Sequence, residues 1–274
     1  MISSDQEQAH YDSIYSRFSA VPDDDLIWNR ETLLRDVNDP RQAMYERRRL
    51  YLAALDLLLK ENLSGKAVLD YGCGLGEWGT LMATEGANVT LLDLSNAAIQ
   101  IGLRRARASG VADRVRGCAR DANDLSCFSD GEFELVLACA ALHHTLKYPA
   151  ALRELCRVIR PGGKLLLVET YGNNRILNFL RRTHWITAGQ PAEAGEDIII
   201  GNRELAMLSP YFSRLSVYPL NLTAMAKRFF RGHFHYKSAR MAVQTLETID
   251  RGILAICPFL SRYCGEAIIV AVRS

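Results

Sequence analysis

The chain has 274 residues, of which 49% are hydrophobic and 23% charged, and its formal net charge at pH 7 is +2. These values are typical of a globular protein and exclude a disordered or fibrous chain. The uninterrupted apolar runs, such as residues 135–142, fall far short of the roughly 20 residues that a membrane-spanning helix needs, so no integral membrane contact is expected.

The seven cysteines are scattered along the chain and form no Cys-x-x-Cys pair. This pattern predicts reduced thiols in a cytoplasmic protein and no metal site. The first ten residues include acidic side chains and lack the apolar segment of a signal peptide, which agrees with that location.

The first 65 residues predict a helical N-terminal cover, with one long helical stretch at 40–59. From residue 66 onward, short apolar strands alternate with helices. Strands that are separated by helices of this length predict right-handed βαβ units and a parallel sheet. The strands are predicted at 67–70, 89–93, 115–121, 133–138 and 164–169, and the helices at 77–85, 96–108 and 148–159.

Two later apolar segments, at 214–220 and 266–272, predict further strands. Residues 222–263 lie between them and are helical and rich in polar and aromatic side chains. We therefore expect one α/β domain at 66–274, with 222–263 as a helical insertion that forms a lid before the last strand.

A glycine-rich segment, VLDYGCGLGEWG at 68–79, follows the first strand. Its glycines allow a sharp turn and a close approach to a ligand. The helix that follows presents free backbone N–H groups at its first turn. Because ligands of open α/β sheets lie beyond the carboxyl ends of the strands, the strand tips predict one shared binding crevice.

The segment also matches the dinucleotide pattern GxGxxG, but its charges disfavour a pyrophosphate. Asp70 precedes the loop, which contains no Lys or Arg. Asp93 ends the second strand, where it can accept hydrogen bonds from ribose hydroxyls, and Asp121 can accept one from an adenine amino group. Adenosine with a positive tail, as in S-adenosylmethionine, matches this pattern.

The combined motifs resemble those of class I S-adenosylmethionine-dependent methyltransferases of the small-molecule type. They are VLDYGCGLGEWG (68–79), LLDLS (91–95), ARDANDL (119–125), FELVLACAALHH (133–144) and RELCRVIRPGGKLLLVE (153–169). The resemblance implies a doubly wound, seven-stranded, mostly parallel sheet with an antiparallel last strand. It implies cofactor contacts at Asp70, Gly72, Gly74, Asp93, Leu94, Asp121, Ala122 and Ala138. Arg120 stands where family members often have Gly.

Candidate catalytic residues follow the fourth strand and occupy the N-terminal cover. His143 and His144 lie at the end of the fourth strand, where an imidazole can accept a proton near neutral pH. The resemblance implies pairing of such a histidine with an N-terminal tyrosine, here Tyr11 or Tyr15. Tyr171 follows the fifth strand. The alternative is that one histidine only satisfies backbone groups in the turn and that neither is catalytic.

Residues 226–240, AKRFFRGHFHYKSAR, interleave five basic and four aromatic residues. Such a segment can bind single-stranded nucleic acid or an anionic membrane surface. Its place before the last strand favours a third interpretation, a lid whose aromatic rings line an acceptor pocket while its charges face water.

The sequence therefore predicts methyl transfer to a small, partly apolar metabolite, of a kind made in secondary metabolism. One alternative is a protein that binds S-adenosylmethionine without methyl transfer, as a scaffold or cyclase. Another is an RNA methyltransferase, although residues 138–141 lack the Asp/Asn-Pro-Pro-aromatic tetrapeptide of base-amino methylation, and no nucleic-acid partner is expected. Self-association is left open.

Overall fold

The computed structural model describes residues 4–148, 150–182 and 198–274. Within these residues, seven strands form one sheet in the order β3-β2-β1-β4-β5-β7-β6. β7 runs antiparallel to both of its neighbours, and the pairs among β1 to β5 are parallel. This confirms the predicted α/β topology. The strands are Ala67–Tyr71 (β1), Asn88–Asp93 (β2), Val115–Ala119 (β3), Phe133–Cys139 (β4), Ile159–Thr170 (β5), Phe212–Leu220 (β6) and Glu266–Arg273 (β7).

Helices cover both faces of the sheet and extend before and after the parallel strands. The α-helices of the described residues are Ser4–Tyr15 (α1), Asp23–Leu26 (α2), Arg30–Asn38 (α3), Arg48–Leu59 (α4), Glu77–Thr84 (α5), Asn96–Ala108 (α6), Leu142–Thr145 (α7), Ala151–Val158 (α8), Arg175–Arg182 (α9), Asn202–Leu208 (α10) and Lys237–Ile256 (α11). Short 3-10 helices occupy Ser16–Phe18, Ala43–Arg47, Ala112–Arg114, Thr223–Phe230 and Pro258–Tyr263.

The apolar strands are buried on both faces because helices pack above and below the sheet. Val68 and Leu137 belong to one core, and Leu69 and Val136 belong to the core on the opposite face. The N-terminal region contributes to the first core through α4, whose buried residues recur every four positions at Leu50, Ala54 and Leu58. The sheet therefore holds its strand tips in fixed positions.

Local signals determine α6, whose bounds were predicted correctly. The Ser95 hydroxyl accepts a hydrogen bond from the Ala98 N–H at 3.1 Å and caps the helix. Gly110 follows the helix with a φ of +74°, which a glycine adopts without a steric penalty.

Two predicted helices have different bounds. The helix expected at 148–159 spans only Ala151–Val158, because β5 already begins at Ile159. Residues 161–163, with the sequence Pro-Gly-Gly, lie inside β5, where the pairing with β4 changes register. The stretch expected at 40–59 is divided into the 3-10 helix Ala43–Arg47 and α4.

Among the helices of the described residues, none has both the length and the apolar character needed to cross a membrane.

Candidate functional site

An open cavity lies at the carboxyl edge of the sheet, between the strand tips and α1. The predicted site residues on its wall are Tyr11, Tyr15, Gly72, Asp93, Leu94, Asp121, Ala122 and His144. The fold thus brings together residues that are up to 133 positions apart in the sequence.

The glycine loop after β1 forms the floor of this cavity. Gly72, Gly74 and Gly76 have φ values of +67°, +50° and +75°, which other residues adopt only with strain. A Cβ on Gly72 would stand 2.4 Å from the Cβ of Ala141. The loop therefore depends on glycine for both its turn and its contact with the turn after β4.

Asp93, at the end of β2, anchors the loop and faces the cavity. Its Oδ2 accepts a hydrogen bond from the Gly74 N–H at 2.9 Å, and its Oδ1 accepts one from the Ser95 N–H at 2.9 Å. Burial raises the pKa of Asp93 to about 6, although both N–H groups favour its charged form. Each carboxylate oxygen keeps a second acceptor site, so Asp93 can also bind the two hydroxyls of a ribose.

Asp121 lies further along the same wall. Its Oδ2 accepts a hydrogen bond from the Ser4 hydroxyl at 2.5 Å, and its Oδ1 accepts one from the Asn123 N–H at 2.8 Å. The neighbouring Arg120 N–H donates to the Asp93 carbonyl at 2.9 Å. This hydrogen bond fixes the position of Asp121 relative to Asp93.

Three residues predicted to contact the cofactor are not among the described residues of the cavity wall: Asp70, Gly74 and Ala138. Asp70 is 2% exposed and accepts a hydrogen bond from the Gly79 N–H at 2.8 Å. Burial raises its pKa to about 7. The structure therefore places Asp70 behind the loop, where it holds the first turn of α5.

Helix α1 covers the cavity through polar contacts that the sequence interpretation missed. Asp12 Oδ1 accepts a hydrogen bond from the Ser95 hydroxyl at 2.5 Å and one from the Ala97 N–H at 3.0 Å. Glu7 accepts hydrogen bonds from the Tyr148 hydroxyl and, at 3.2 Å, from Lys147 Nζ. These partners are more than 80 residues away, so no local signal could identify them.

The turn after β4 carries the histidines and is held by Glu169. Glu169 is 1% exposed. Its Oε1 accepts hydrogen bonds from the Ala141 and Leu142 N–H groups at 3.1 and 3.0 Å. Its Oε2 lies 2.8 Å from Nδ1 of His143. These contacts are those of a group that shapes the turn.

The two histidines occupy different positions. His144 lies on the cavity wall, and its ring meets that of Tyr11 edge-on at 6.1 Å between centroids. Tyr11 in turn stacks on Tyr15 at 6.1 Å. His143 lies beside His144, with 4.0 Å between ring centroids, and faces Glu169. The cavity therefore brings together one imidazole and two phenols.

Tyr171 is not part of this group. It is 5% exposed, and its hydroxyl lies 3.5 Å from Asn202 Oδ1. Its backbone bridges to Ile200, which places it beside α10 rather than on the described cavity wall.

We predicted that residues 226–240 form a lid whose charged groups face water. For the first part of this segment, the prediction that the charges face water is wrong. Lys227 is 1% and Arg228 6% exposed, whereas Phe229 is 56% exposed. The cause is a carboxylate in the sheet, because Lys227 Nζ lies 2.8 Å from Glu266 Oε2 at the start of β7.

The cavity suits an adenosine with a positive, phosphate-free tail. Its glycine floor leaves no room for a Cβ at Gly72, and Asp93 and Asp121 offer acceptor oxygens to hydroxyl and amino groups. Among the residues that the structure describes, no group of three His, Cys, Asp or Glu side chains is arranged to hold a metal ion.

Comparisons with known sequences identify methyltransferases as relatives of this chain. A family model described as a methyltransferase domain matches residues 68–163. The ubiquinone biosynthesis O-methyltransferase of Pseudomonas syringae pv. tomato is 31% identical over 172 residues, which cover 57% of this chain and 68% of the relative. The first curated relatives, also methyltransferases by name, are matched over only 38 to 56% of their own length.

Solved structures share the fold over nearly the whole chain. The 4+2 cyclase SpnF has a TM-score of 0.60 at 19% identity and covers 99% of this chain and 96% of its own. The geranyl diphosphate C-methyltransferase of Streptomyces coelicolor, solved with Mg²⁺, geranyl diphosphate and S-adenosyl-L-homocysteine, has a TM-score of 0.57 at 19% identity, with 96% and 98% covered. At this identity the likeness concerns the fold alone.

Proposed function

Because the chain belongs to the class I S-adenosylmethionine-dependent methyltransferases, we propose that it transfers the methyl group of S-adenosylmethionine to a small, partly apolar metabolite. When bound, this cofactor supplies a methyl group that its positive sulfur already activates for in-line displacement. The observation that carries the proposal is the pair of carboxylates, Asp93 and Asp121, above a glycine floor.

The two acidic residues of the cavity bind different parts of the adenosine. Asp93 accepts the ribose hydroxyls, and Asp121 accepts the adenine amino group. Leu94 and Ala122 lie beside them on the wall. Gly72 lets the backbone approach the tail of the cofactor, while Gly74 acts through its N–H on Asp93. Asp70 and Ala138 support the loop and the end of β4 from behind.

The acceptor is positioned on the side of the cavity that carries His144, Tyr11 and Tyr15. Positioning supplies much of the catalysis when the donor is already activated. His144 is the candidate base for an acceptor that must lose a proton. His143 and Glu169 hold the turn that carries His144.

The acceptor class follows from the cavity and is supported by the relatives. α1 and the strand tips enclose a space with aromatic walls, which suits a partly apolar molecule. The Pseudomonas syringae relative is named for ubiquinone biosynthesis, and the Streptomyces structure contains geranyl diphosphate. The seven free cysteines suit a reducing compartment such as the cytoplasm.

The test combines calorimetry with turnover. S-adenosylhomocysteine should bind to the full chain, whereas NAD should not. In incubations with S-adenosylmethionine and a panel of phenols, quinols, amines and carboxylic acids, mass spectrometry should find equal amounts of S-adenosylhomocysteine and one methylated product. Binding without any methylated product would favour a protein that binds the cofactor without methyl transfer, and binding of NAD alone would reject the proposal.

A further inference from the structure

A group of charged side chains, here called the basic cluster, lies where β5 ends and β7 begins. Asp93 and Asp121 lie along the same edge of the sheet, on the other side of β1 and β4. Its cations come from three segments outside the sheet: the 3-10 helix Ala43–Arg47, α9, and the 3-10 helix Thr223–Phe230 with the residue that follows it. Its members are Arg47, Arg181, Lys227, Arg228 and Arg231, together with the carboxylates Glu46 and Glu266.

The carboxylates of the basic cluster are partly occupied. Glu266 is fully buried, and its Oε2 accepts hydrogen bonds from Lys227 Nζ at 2.8 Å and from Asn221 Nδ2 at 2.5 Å. Its Oε1 has no hydrogen-bond partner in the part of the chain that the structure describes and lies 4.0 Å from Arg47 Nε. Glu46 binds Arg231 through two hydrogen bonds of 2.6 and 2.7 Å. Among the described residues, five cations therefore face two carboxylates, and the nearest cation is Lys227 for Glu266 and Arg231 for Glu46.

Arg228 is the cation that these contacts leave out. It is 6% exposed, and its Nε lies 3.9 Å from Glu46 Oε1, which is beyond hydrogen-bond distance. Its guanidinium donates no hydrogen bond to any residue that the structure describes, and its Nε is fully buried. A guanidinium has five donors, and a buried one without acceptors is strongly destabilising.

Arg181 adds a second buried cation without a carboxylate partner in the described residues. Its guanidinium donates to the Tyr171 and Gly265 carbonyls and to Asn178 Oδ1, and its Nε has no acceptor. Burial, followed by the positive charge of Arg228, lowers the pKa of Arg181 to about 9. Burial and Arg47 likewise lower the pKa of Arg228. The basic cluster therefore carries an excess of positive charge in a buried place.

None of the side chains of the basic cluster lies on the described cavity wall, but the cluster contacts the end of β5, which holds the turn beside the cavity. Arg47 Nη2 donates to the Thr170 hydroxyl at 3.3 Å. Thr170 directly follows Glu169, which holds the turn that carries Ala141 and His144. The cations therefore lie at the end of β5. Asp93 and Asp121 lie at the other side of the sheet edge, at the end of β2 and after β3.

We infer that the basic cluster binds an oxyanion of the methyl acceptor, either a carboxylate or a phosphate group, and that Arg228 is its main donor. A guanidinium fork matches both groups with two parallel hydrogen bonds. The anion would supply the acceptors that Arg228 and Arg181 need and would neutralise the excess charge. This inference rests on the proposed function, because it specifies the acceptor of the same site.

The experiment measures anion binding to the full chain without turnover. Thermal unfolding and calorimetry are carried out in a zwitterionic buffer with sodium phosphate, sodium benzoate or sodium chloride at equal ionic strength. Phosphate or benzoate should raise the Tm of the wild-type protein above the value in chloride. A response to phosphate alone assigns a phosphorylated acceptor, and a response to benzoate alone assigns a carboxylic acid.

Three variants separate binding from structure. Arg228→Gln should weaken binding of the effective anion at least about tenfold, the loss expected for hydrogen bonds to a charged group. It should not lower the Tm in chloride, because it removes an uncompensated buried charge. Arg228→Lys should retain part of the anion response. Arg251→Gln, on the exposed face of α11, should respond like the wild type.

Equal Tm values of the wild type in all three salts would overturn the inference, as would an unchanged anion response in Arg228→Gln. If Arg228→Gln fails to fold, the wild-type response and Arg228→Lys still decide the question. Titration of S-adenosylhomocysteine in the same samples keeps the two proposals apart. Cofactor binding without an anion response rejects only this inference, whereas loss of cofactor binding rejects the proposed function.

Discussion

Asp93 has two structural relations, since one carboxylate both shapes the glycine loop and faces the cavity. Its oxygens accept backbone hydrogen bonds from Gly74 and Ser95, so the carboxylate fixes the loop beside the cavity. The sequence was sufficient to predict that Asp93 and Asp121 meet in one crevice, because Asp93 ends one recognisable strand and Asp121 follows another. It could not predict the orientation of Asp70, whose position before the glycines is compatible with either side of the loop.

Cofactor affinity should depend on pH through Asp93. Its pKa of about 6 lies above the ordinary value of 3.8, so the folded chain takes up a proton there as the pH falls through 6. Ribose hydroxyls donate to the charged form, and the affinity for S-adenosylhomocysteine should therefore decrease below about pH 6. The carboxylate of Asp12 and the imidazole of His144 are the neighbouring side chains that also act on the pKa of Asp93.

Calorimetry between pH 5 and 8 tests this expectation with Asp93→Asn as the control. At pH 7.5 the variant should bind S-adenosylhomocysteine at least about tenfold more weakly, since it loses charge-assisted hydrogen bonds. Its affinity should change little with pH. Asp70 also has a raised pKa but is present in both proteins. Parallel pH profiles for the two proteins would contradict the assignment of the ribose to Asp93.

Glu169 should affect turnover more than cofactor binding. Glu169→Gln weakens the hold on the turn that carries His144 and changes the partner of His143. Because misplaced catalytic groups are costly, we expect kcat to fall by about 10- to 100-fold. The Kd of S-adenosylhomocysteine should change far less, since Glu169 does not lie on the described cavity wall.

The control for this prediction is Glu132→Gln, a change at a half-buried carboxylate that pairs with Arg116 at the other end of the sheet. It should leave kcat unchanged. A normal kcat in Glu169→Gln would show that the turn does not need its carboxylate.

At the scale of elements, the α/β alternation made most of the sheet predictable, because apolar strands between helices have few alternative arrangements. α6 was located correctly from Ser95 and Gly110, which are local signals. The division of residues 40–59 was not predictable. Glu46 binds Arg231, and Arg47 donates a hydrogen bond to Thr170. The break in the helix therefore coincides with contacts to residues that are at least 123 positions away in the sequence.

Helix α1 has few apolar contacts for an element that covers a binding site, since its single buried residue is Glu7. Its position depends on hydrogen bonds, above all those of Asp12. We expect Asp12→Ala to weaken S-adenosylhomocysteine binding by about 5- to 30-fold, the effect of losing about 1 to 2 kcal/mol of hydrogen bonding. The Tm should change little, because the core residues remain in place.

Asp5→Ala is the matched control, since Asp5 is exposed on the same helix and should leave the affinity unchanged. Limited proteolysis should cut α1 faster in Asp12→Ala than in either Asp5→Ala or the wild type. Equal affinity in all three proteins would mean that α1 does not cover the bound cofactor.

At the scale of the whole molecule, the basic cluster joins the N-terminal cover, α9, the insertion and the sheet. Glu266 is its centre, and although burial opposes ionisation, Lys227, Arg47 and Arg228 lower its pKa to about 2. The sequence alone suggested solvated charges at 226–240, since the partner of Lys227 lies 39 residues further along the chain.

Glu266→Gln should lower the free energy of unfolding by about 3 to 5 kcal/mol, because it leaves buried cations without a counter-charge. Urea unfolding measures this loss. Asp56→Asn, at an exposed ion pair with Lys60, should change stability by no more than about 1 kcal/mol. A similar small loss in Glu266→Gln would show that its charge is not needed.

The same pKa sets the direction of the pH dependence. The pKa of Glu266 is lower in the folded chain than its ordinary value of 4.5, so its contribution to stability is complete above pH 4.5. It is lost as the pH falls from there towards 2. The free energy of unfolding of Glu266→Gln should not show this loss between pH 4.5 and 2.

The place of β7 between β5 and β6 also constrains the order in which the protein can assemble. β1 to β5 can pair as the ribosome delivers them, but the ladder of β6 is formed with β7 alone, so β6 must wait for a strand that is translated about 45 residues later. Glu266 arrives with that strand. Until then, Lys227 and its neighbouring arginines lack the carboxylate that lets them be buried, and they should remain hydrated. Insertion of β7 would thus complete the sheet and desolvate the cations in one late step.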